Sequence, residues 1–353
     1  MKKIFILFFA LLFVHTGCTN DQSQNEAREK IVKIGAILPL TGDAAVYGEY
    51  TKSGILLGLK KINKQLEEKH IKVRVIFEDS KAEAKTGVAA VHKLINTDHV
   101  VAIIDDSISA VTLAVSPICE EKKVVLIATG ATAPAITDAG KYIFRLWNSD
   151  TLEGKVTAQY VTGKIKPQSI AILYINNAYG VGLRDVFKSN FSAGGAGKIV
   201  AEEAFAQGQN NFRTTLQKIK KKDPDAIYLV AYPQEARNIF QQAKVMAIQT
   251  KWIGTVAIAD QKLLERVKQL DFELHYPVPE QADTSNSFVS TFIAGYKEMY
   301  NTDPPPLSDV GYDAITIIGE ALSRSSDTTG ESIKAIFEIL PGKYMASGFI
   351  KFD

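Results

Sequence analysis

From Ile31 onward the chain alternates short β-branched runs with longer stretches of helical period, and this alternation limits the fold more than any other feature. Val32 to Leu38, Val73 to Glu78, Val100 to Ile104, Val124 to Ala128, Ser169 to Ile175, Ile199 to Phe205, Ala226 to Ala231 and Trp252 to Thr255 read as strands. Near-continuous apolar runs suit strands buried on both faces, as in a parallel sheet covered by helices. Between them, Ile55, Leu56, Leu59 and Ile62 fall on one helical face, as do Val88, Val91, His92 and Ile95. The pattern predicts an α/β fold with doubly wound parallel sheets.

Two blocks follow one another, one up to about Arg145 and one from about Thr151 to Glu273, each long enough to bury its own core. Ser285 to Ser325 adds helices but few strands, so it must pack back onto an earlier block. The expected plan is two lobes joined by a hinge of several crossings. Residues 32–147 with 281–340 make lobe 1, and 148–280 with 341–353 make lobe 2. Ligands of open α/β sheets settle beyond the carboxyl ends of the strands, so a cleft faced by two such edges is the expected site.

The N-terminus reads as an address. Lys2 and Lys3 precede an apolar run from Ile4 to Val14, then His15-Thr16-Gly17-Cys18. The run is too short to span a bilayer comfortably. Val14 to Cys18 resembles the lipobox of bacterial lipoproteins, with His15 standing where an aliphatic residue is preferred. That resemblance implies a signal peptide over 1–17, acylation of Cys18, a polar tether over 18–31, and a membrane-anchored protein of the periplasm or cell surface, secreted through Sec. Cys119 is left without a disulfide partner and reads as a small core residue.

Charge and composition remove other classes. Two of the 41 basic residues lie in the leader, and the rest balance 39 acids, so no basic field exists to gather nucleic acid. With five His in the whole chain, a His-rich metal site is not expected. Gly180-Val181-Gly182 is an incomplete dinucleotide fingerprint, and no Gly-x-Ser-x-Gly elbow occurs, so neither a cofactor nor an enzymatic activity is expected.

Ile34-Gly35-Ala36-Ile37-Leu38-Pro39-Leu40-Thr41-Gly42-Asp43, with Tyr47-Gly48 beyond, resembles the opening of solute-binding proteins of the branched-chain amino acid ABC transporter family. Glu78-Asp79, Gly130-Ala131-Thr132-Ala133-Pro134, Ala178-Tyr179-Gly180 and Gly311-Tyr312-Asp313-Ala314 follow in matching order, so the resemblance covers almost the whole chain from about Val32. It implies a type I periplasmic binding fold. At Gly348 to Asp353 the chain departs from the family, whose members usually continue past this Gly-x-Ile-x-Phe-Asp element.

The resemblance also implies a site. A ligand carboxylate would be held by Ser109 and by backbone and hydroxyl groups at Gly130, Ala131 and Thr132. Neutral donors suit a carboxylate because they bind charge through charge-assisted hydrogen bonds without a countercharge to desolvate. Tyr179 and Tyr232 would close over the ligand from lobe 2 and Tyr47 from lobe 1, each ring covering apolar surface while its hydroxyl stays available. Asp150 would help receive the ligand ammonium, Trp147 would wall the pocket, and Ser107 and Thr255 would add polar contact. Without the resemblance, Ser109, Thr132 and Asp150 read as helix caps.

One position departs. Amino acid binders of this family carry a Glu where this chain has Val256, and a buried ammonium lacking its carboxylate is costly. Leucine-like amino acids and amine-free organic acids therefore both stay open as ligands. The expected function is capture of a small carboxylated solute by cleft closure, by a monomer that delivers it to ABC permease subunits. A receptor or sensor of the same fold, uncoupled from transport, is the alternative.

Overall fold

A computed structural model describes residues 29–42, 44–105, 108–195, 197–279 and 283–352. The first sheet is built from β1 (Lys30–Leu38), α1 (Ala45–Leu66), β2 (Ile71–Asp79), α2 (Ala84–Asn96), β3 (Ala102–Asp105), α3 (Ser109–Lys122), β4 (Val125–Ala128) and β5 (Ile143–Arg145). The chain then crosses to α4 (Asp150–Tyr160), β6 (Ser169–Ile175), α5 (Ala178–Ala193), β7 (Lys198–Phe205), α6 (Arg213–Lys220), β8 (Ala226–Val230), α7 (Pro233–Val245), β9 (Lys251–Ile253), α8 (Gln261–Gln269) and β10 (Leu274–His275). It returns through α9 (Ser287–Tyr300), α10 (Ser308–Arg324), α11 (Gly330–Ile339), β11 (Lys343–Met345) and β12 (Gly348–Ile350).

The two five-stranded sheets share one topology. Their orders are β2-β1-β3-β4-β5 and β10-β9-β8-β6-β7, parallel throughout, so the α/β expectation is borne out. Strand order reverses between β1 and β3 in one sheet and between β6 and β8 in the other, and the carboxyl ends at such switch points open a crevice. Each sheet is buried on both faces. Ile34, Ile104 and Ile127 pack under α1, α10 and α11, while Ile37, Ile103 and Leu126 face α2 and α3. In lobe 2, Leu173, Tyr228 and Trp252 sit in one continuous core.

The return segment docks on lobe 1 through glycine. A Cβ on Gly54 would lie 1.7 Å from the Ser308 carbonyl oxygen, and one on Gly58 would lie 2.4 Å from Ile315, so α1 and α10 approach at backbone distance. Leu56 and Leu59, expected to be buried, are half-buried, and the small residues Thr51, Gly54 and Gly58 carry the contact with Ile55 and Ile62.

The C-terminal segment corrects an expectation. Residues 341–353 were assigned to lobe 2, yet the antiparallel β11–β12 hairpin and the residues after it pack on lobe 1. Met345 joins the lobe 1 core, and Phe352 stacks on Phe337 and meets Phe144 edge-on, at 5.2 and 5.0 Å between ring centroids. Asp313 of α10 pins the turn by accepting from the Ala346 N–H at 3.0 Å and the Ser347 N–H at 2.7 Å. Among the described residues no helix is long and apolar enough to cross a membrane. Cys119 is fully buried in the lobe 1 core, and Cys18 lies outside the described residues.

Candidate functional site

The strands flanking the two switch points each deliver one side chain to the space between the lobes. Tyr47 follows β1, Ser109 follows β3, Tyr179 follows β6 and Tyr232 follows β8. The neighbouring β4 and β9 are followed by Thr132 and Thr255. Asp79 at the end of β2 fixes the first loop by accepting from the Leu40 N–H at 2.9 Å and the Thr41 hydroxyl at 2.5 Å. Although desolvation works the other way, hydrogen bonds from Thr41, Lys81 and Leu40 hold its carboxyl below the usual range. The glycine after each helical tyrosine has a steric cause. A Cβ on Gly48 would meet the Pro39 carbonyl oxygen at 2.2 Å, and one on Gly180 would meet that of Ile175 at 1.9 Å, so each helix starts tight against its strand end.

Ser109 opens α3 and is buried. Its Oγ accepts from the Thr132 N–H at 3.2 Å and the Ala133 N–H at 3.1 Å. A hydroxyl has two acceptor sites and one donor, so with both acceptor sites filled the Ser109 O–H can only donate. The Thr132 amide is thereby used inside the lobe, leaving its hydroxyl for the site. Ala131 is fully buried and Gly130 half-buried in the same loop. The Thr132 carbonyl in turn accepts from the Asp150 N–H at 2.9 Å, which joins this loop to the first residue of α4 across the lobe junction. Trp147 is half-buried in the crossing segment just before. Ser107 lies outside the described residues.

The lobe 2 wall is aromatic. Tyr179 is buried and donates to Thr255 Oγ1 at 2.9 Å, and its ring stacks on Tyr232 at 5.5 Å between centroids and 14° between planes. Tyr232 packs against both the lobe 2 core and the lobe 1 layer that contains Tyr47. The Tyr47 hydroxyl donates to the Ala257 carbonyl at 3.1 Å, and Gln207 Nε2 donates to the Ala82 carbonyl at 3.2 Å. These two bonds run from one lobe to the other, so the arrangement is closed. Burial, with Tyr232, Asp260 and Glu235 nearby, pushes the Tyr47 phenol far above its ordinary range, so it is a neutral donor at any physiological pH.

Asp150, expected in the site, has a neighbour the sequence reading does not name, Glu153. Asp150 is fully buried, and burial together with the nearby Glu153 raises its carboxyl to about 8. The Thr132 hydroxyl and the Arg145 guanidinium lie close enough to favour the charged form, yet neither Asp150 oxygen has a hydrogen bond of ordinary geometry among the described residues. Glu153, one helical turn on, is half-buried, and its Oε1 accepts from the Val256 N–H at 2.9 Å. Burial raises it to about 7, against the pull of that bond. The vacancy expected at Val256 is thus met by a carboxylate from another element. The signal was the i, i+3 spacing of Asp150 and Glu153 in the first turn of a helix.

A crevice of 570 Å³ lies beside this group, lined by Lys81, Ala82, Gln207, Gly208, Tyr232 and Glu235 among others. It shares only Tyr232 with the predicted residues. Ser109, Thr132, Asp150 and Tyr179 are buried and do not line it. Hydroxyl donors at one side and carboxylates at the other, under an aromatic cover, suit a small molecule of mixed charge.

Two lobes of identical topology with a polar cluster at their paired switch points define a cleft-closing binding protein. A family model for periplasmic binding proteins matches residues 31–352, and the chain belongs to that family. It is 25% identical over 307 residues to a leucine-, isoleucine-, valine-, threonine- and alanine-binding protein of Pseudomonas aeruginosa, covering 86% of this chain and 80% of that one. It is 28% identical over 248 residues to a Leu/Ile/Val-binding protein of Escherichia coli K12, covering 70% and 67%. A solved structure of a leucine binding protein from Thermotoga maritima superposes with a TM-score of 0.82 at 26% identity, over 91% of each chain.

Proposed function

We propose that the protein captures a branched-chain amino acid, or a closely related carboxylated solute, outside the cytoplasm and hands it to the permease subunits of an ABC transporter. The observation that carries this reading is the convergence of Ser109, Thr132 and Asp150 at the starts of α3 and α4, beneath Tyr179. The solute carboxylate sits against the Ser109 and Thr132 hydroxyls and the 130–132 backbone, and the apolar side chain lies against the Tyr47, Tyr179 and Tyr232 rings. Trp147, half-buried in the crossing segment, adds to the wall. Contact with both lobes stabilises the closed arrangement over the open one by the solute's differential affinity for the two.

The names of the relatives support an amino acid, since those proteins bind leucine, isoleucine and valine. The relatives named above are solute-binding proteins, and on this reading the protein likewise acts by binding, as a monomer. Acylation of Cys18 would hold it at a membrane surface, each buried methylene contributing about 0.8 kcal/mol. Denaturing the purified protein and identifying the released solute by mass spectrometry tests the reading. The expected result is one dominant small amino acid, and a solute without a carboxylate would overturn it.

A further inference from the structure

We propose that Glu153 receives the ammonium group of the bound solute, supplying from α4 the anion that Val256 cannot. The inference deepens the proposed function and rests on it, because it names which chemical feature of the solute is selected. Asp150, Glu153 and Thr157 follow one another at i, i+3 and i+7, so they share one face of α4. The Asp150 carboxyl has no hydrogen bond of ordinary geometry beyond its approach to the Thr132 hydroxyl, and the Thr157 and Tyr228 hydroxyls are buried without a hydrogen-bond partner among the described residues. Such groups are rare in folded proteins because each forfeits its solvation without compensation, and Asp150 and Tyr228 both lie within electrostatic reach of Glu153.

Glu153 is the one member that reaches outward. One oxygen is fixed by the Val256 N–H, and the half-buried side chain keeps lone pairs for an incoming donor. The groups facing the pair come from every packed element: Arg145 from β5, the Thr132 hydroxyl from the loop after β4, Tyr179 from α5, Tyr228 from β8 and Thr255 after β9. Arg145 is the cation that acts on Asp150, and it also donates to the Ala133 carbonyl at 3.2 Å and Thr137 Oγ1 at 3.0 Å. No salt bridge among the described residues includes Glu153. A cation arriving with the solute completes the charge balance, and its three N–H donors match the open acceptors of Glu153 and Asp150.

The same geometry couples binding to protons. Burial favours the protonated forms of the two carboxyls at mildly acidic pH, and an ammonium favours their ionised forms. An amino acid therefore expels protons as it binds, and its affinity rises as the pH climbs toward about 8. A 2-oxo acid of the same skeleton carries no ammonium and expels none.

The test is calorimetry on the full chain with leucine and with 4-methyl-2-oxopentanoate at pH 6, in two buffers of different ionisation enthalpy. Glu153→Gln retains an acceptor oxygen for the Val256 N–H, and its melting temperature checks that the fold is kept. In this variant leucine affinity should fall at least 30-fold, 2-oxo acid affinity should change less than threefold, and proton release with leucine should shrink. Equal losses for both solutes, or unchanged leucine affinity and proton release, would overturn the assignment. Wild-type protein that binds the 2-oxo acid and rejects leucine would overturn it while leaving carboxylate capture intact. Wild-type protein that binds neither would overturn both readings.

Discussion

Ser109→Ala lowers the affinity for leucine roughly 100-fold, the equivalent of about 2.7 kcal/mol. Two losses combine. The first is the hydrogen bond from the Ser109 hydroxyl to the solute carboxylate, a bond to a charged group that contributes about 1.5 to 3 kcal/mol. The second is the support for the 130–133 loop, because the same Oγ accepts from the Thr132 and Ala133 amides, both buried. Leaving buried N–H groups unpaired destabilises by about 1 to 3 kcal/mol each, and part of that cost shifts the loop away from the carboxylate. Isothermal titration of the variant, with its melting curve alongside, checks the result. An affinity within threefold of wild type would remove Ser109 from the site.

Gly54→Val has the largest expected effect on folding. The added Cβ would lie 1.7 Å from the Ser308 carbonyl oxygen and 2.9 Å from the Tyr312 backbone nitrogen. Both neighbours are backbone atoms of α10, so no side-chain rotation relieves the clash and the helix itself must withdraw. Withdrawal strips cover from Ile55 and Ile62, which are fully buried on the α1 face beside it. Overpacking of a tight contact destabilises by about 1 to 3 kcal/mol when side chains can adjust. With backbone on both sides the loss should reach about 3 kcal/mol or more, lowering the melting temperature by roughly 6 °C or more. Gly163→Ala is the matched control, since nothing lies within 4 Å of its added Cβ and its φ is ordinary, so it should leave the transition in place. Equal melting temperatures for Gly54→Val and wild type would mean that α1 and α10 do not meet as closely as described.

The central strands were legible because a strand buried on both faces leaves a run of β-branched residues, as in Val125–Ala128 and Ala226–Val230. Of the edge strands, β2 and β7 were legible too, and the two shortest were not. β5 and β10 hold three and two residues, half-buried, too short to leave any period. The α1 contact was partly misread because hydrophobicity marks Leu56 and Leu59, whereas close approach selects Gly54 and Gly58. The last hairpin was assigned to the wrong lobe for a related reason. Met345, Ile350 and Phe352 announce burial, but apolar side chains do not say against which core they pack.

In the site, the family resemblance pointed to Ser109, Thr132, Tyr179 and Tyr232; each follows a strand, and the topology turns those strand ends toward one another. The reading of Val256 was confined to one loop. It looked for an anion at one position of one loop, whereas the carboxylate that meets Val256 comes from Glu153, 103 residues away in sequence. A missing charge is a property of a volume, and only the fold shows which elements share it. Asp150, read as a partner for the ligand ammonium or as a helix cap, did not point to its neighbour one turn further along the helix.

Solution X-ray scattering with and without saturating leucine tests lobe closure most directly. Two of the bonds between the lobes, Tyr47 to Ala257 and Gln207 to Ala82, belong to the closed arrangement. The account predicts a larger radius of gyration for the solute-free protein, and a contraction with leucine to the dimensions of the closed structure. An unchanged radius across a leucine titration that calorimetry shows to saturate would contradict it.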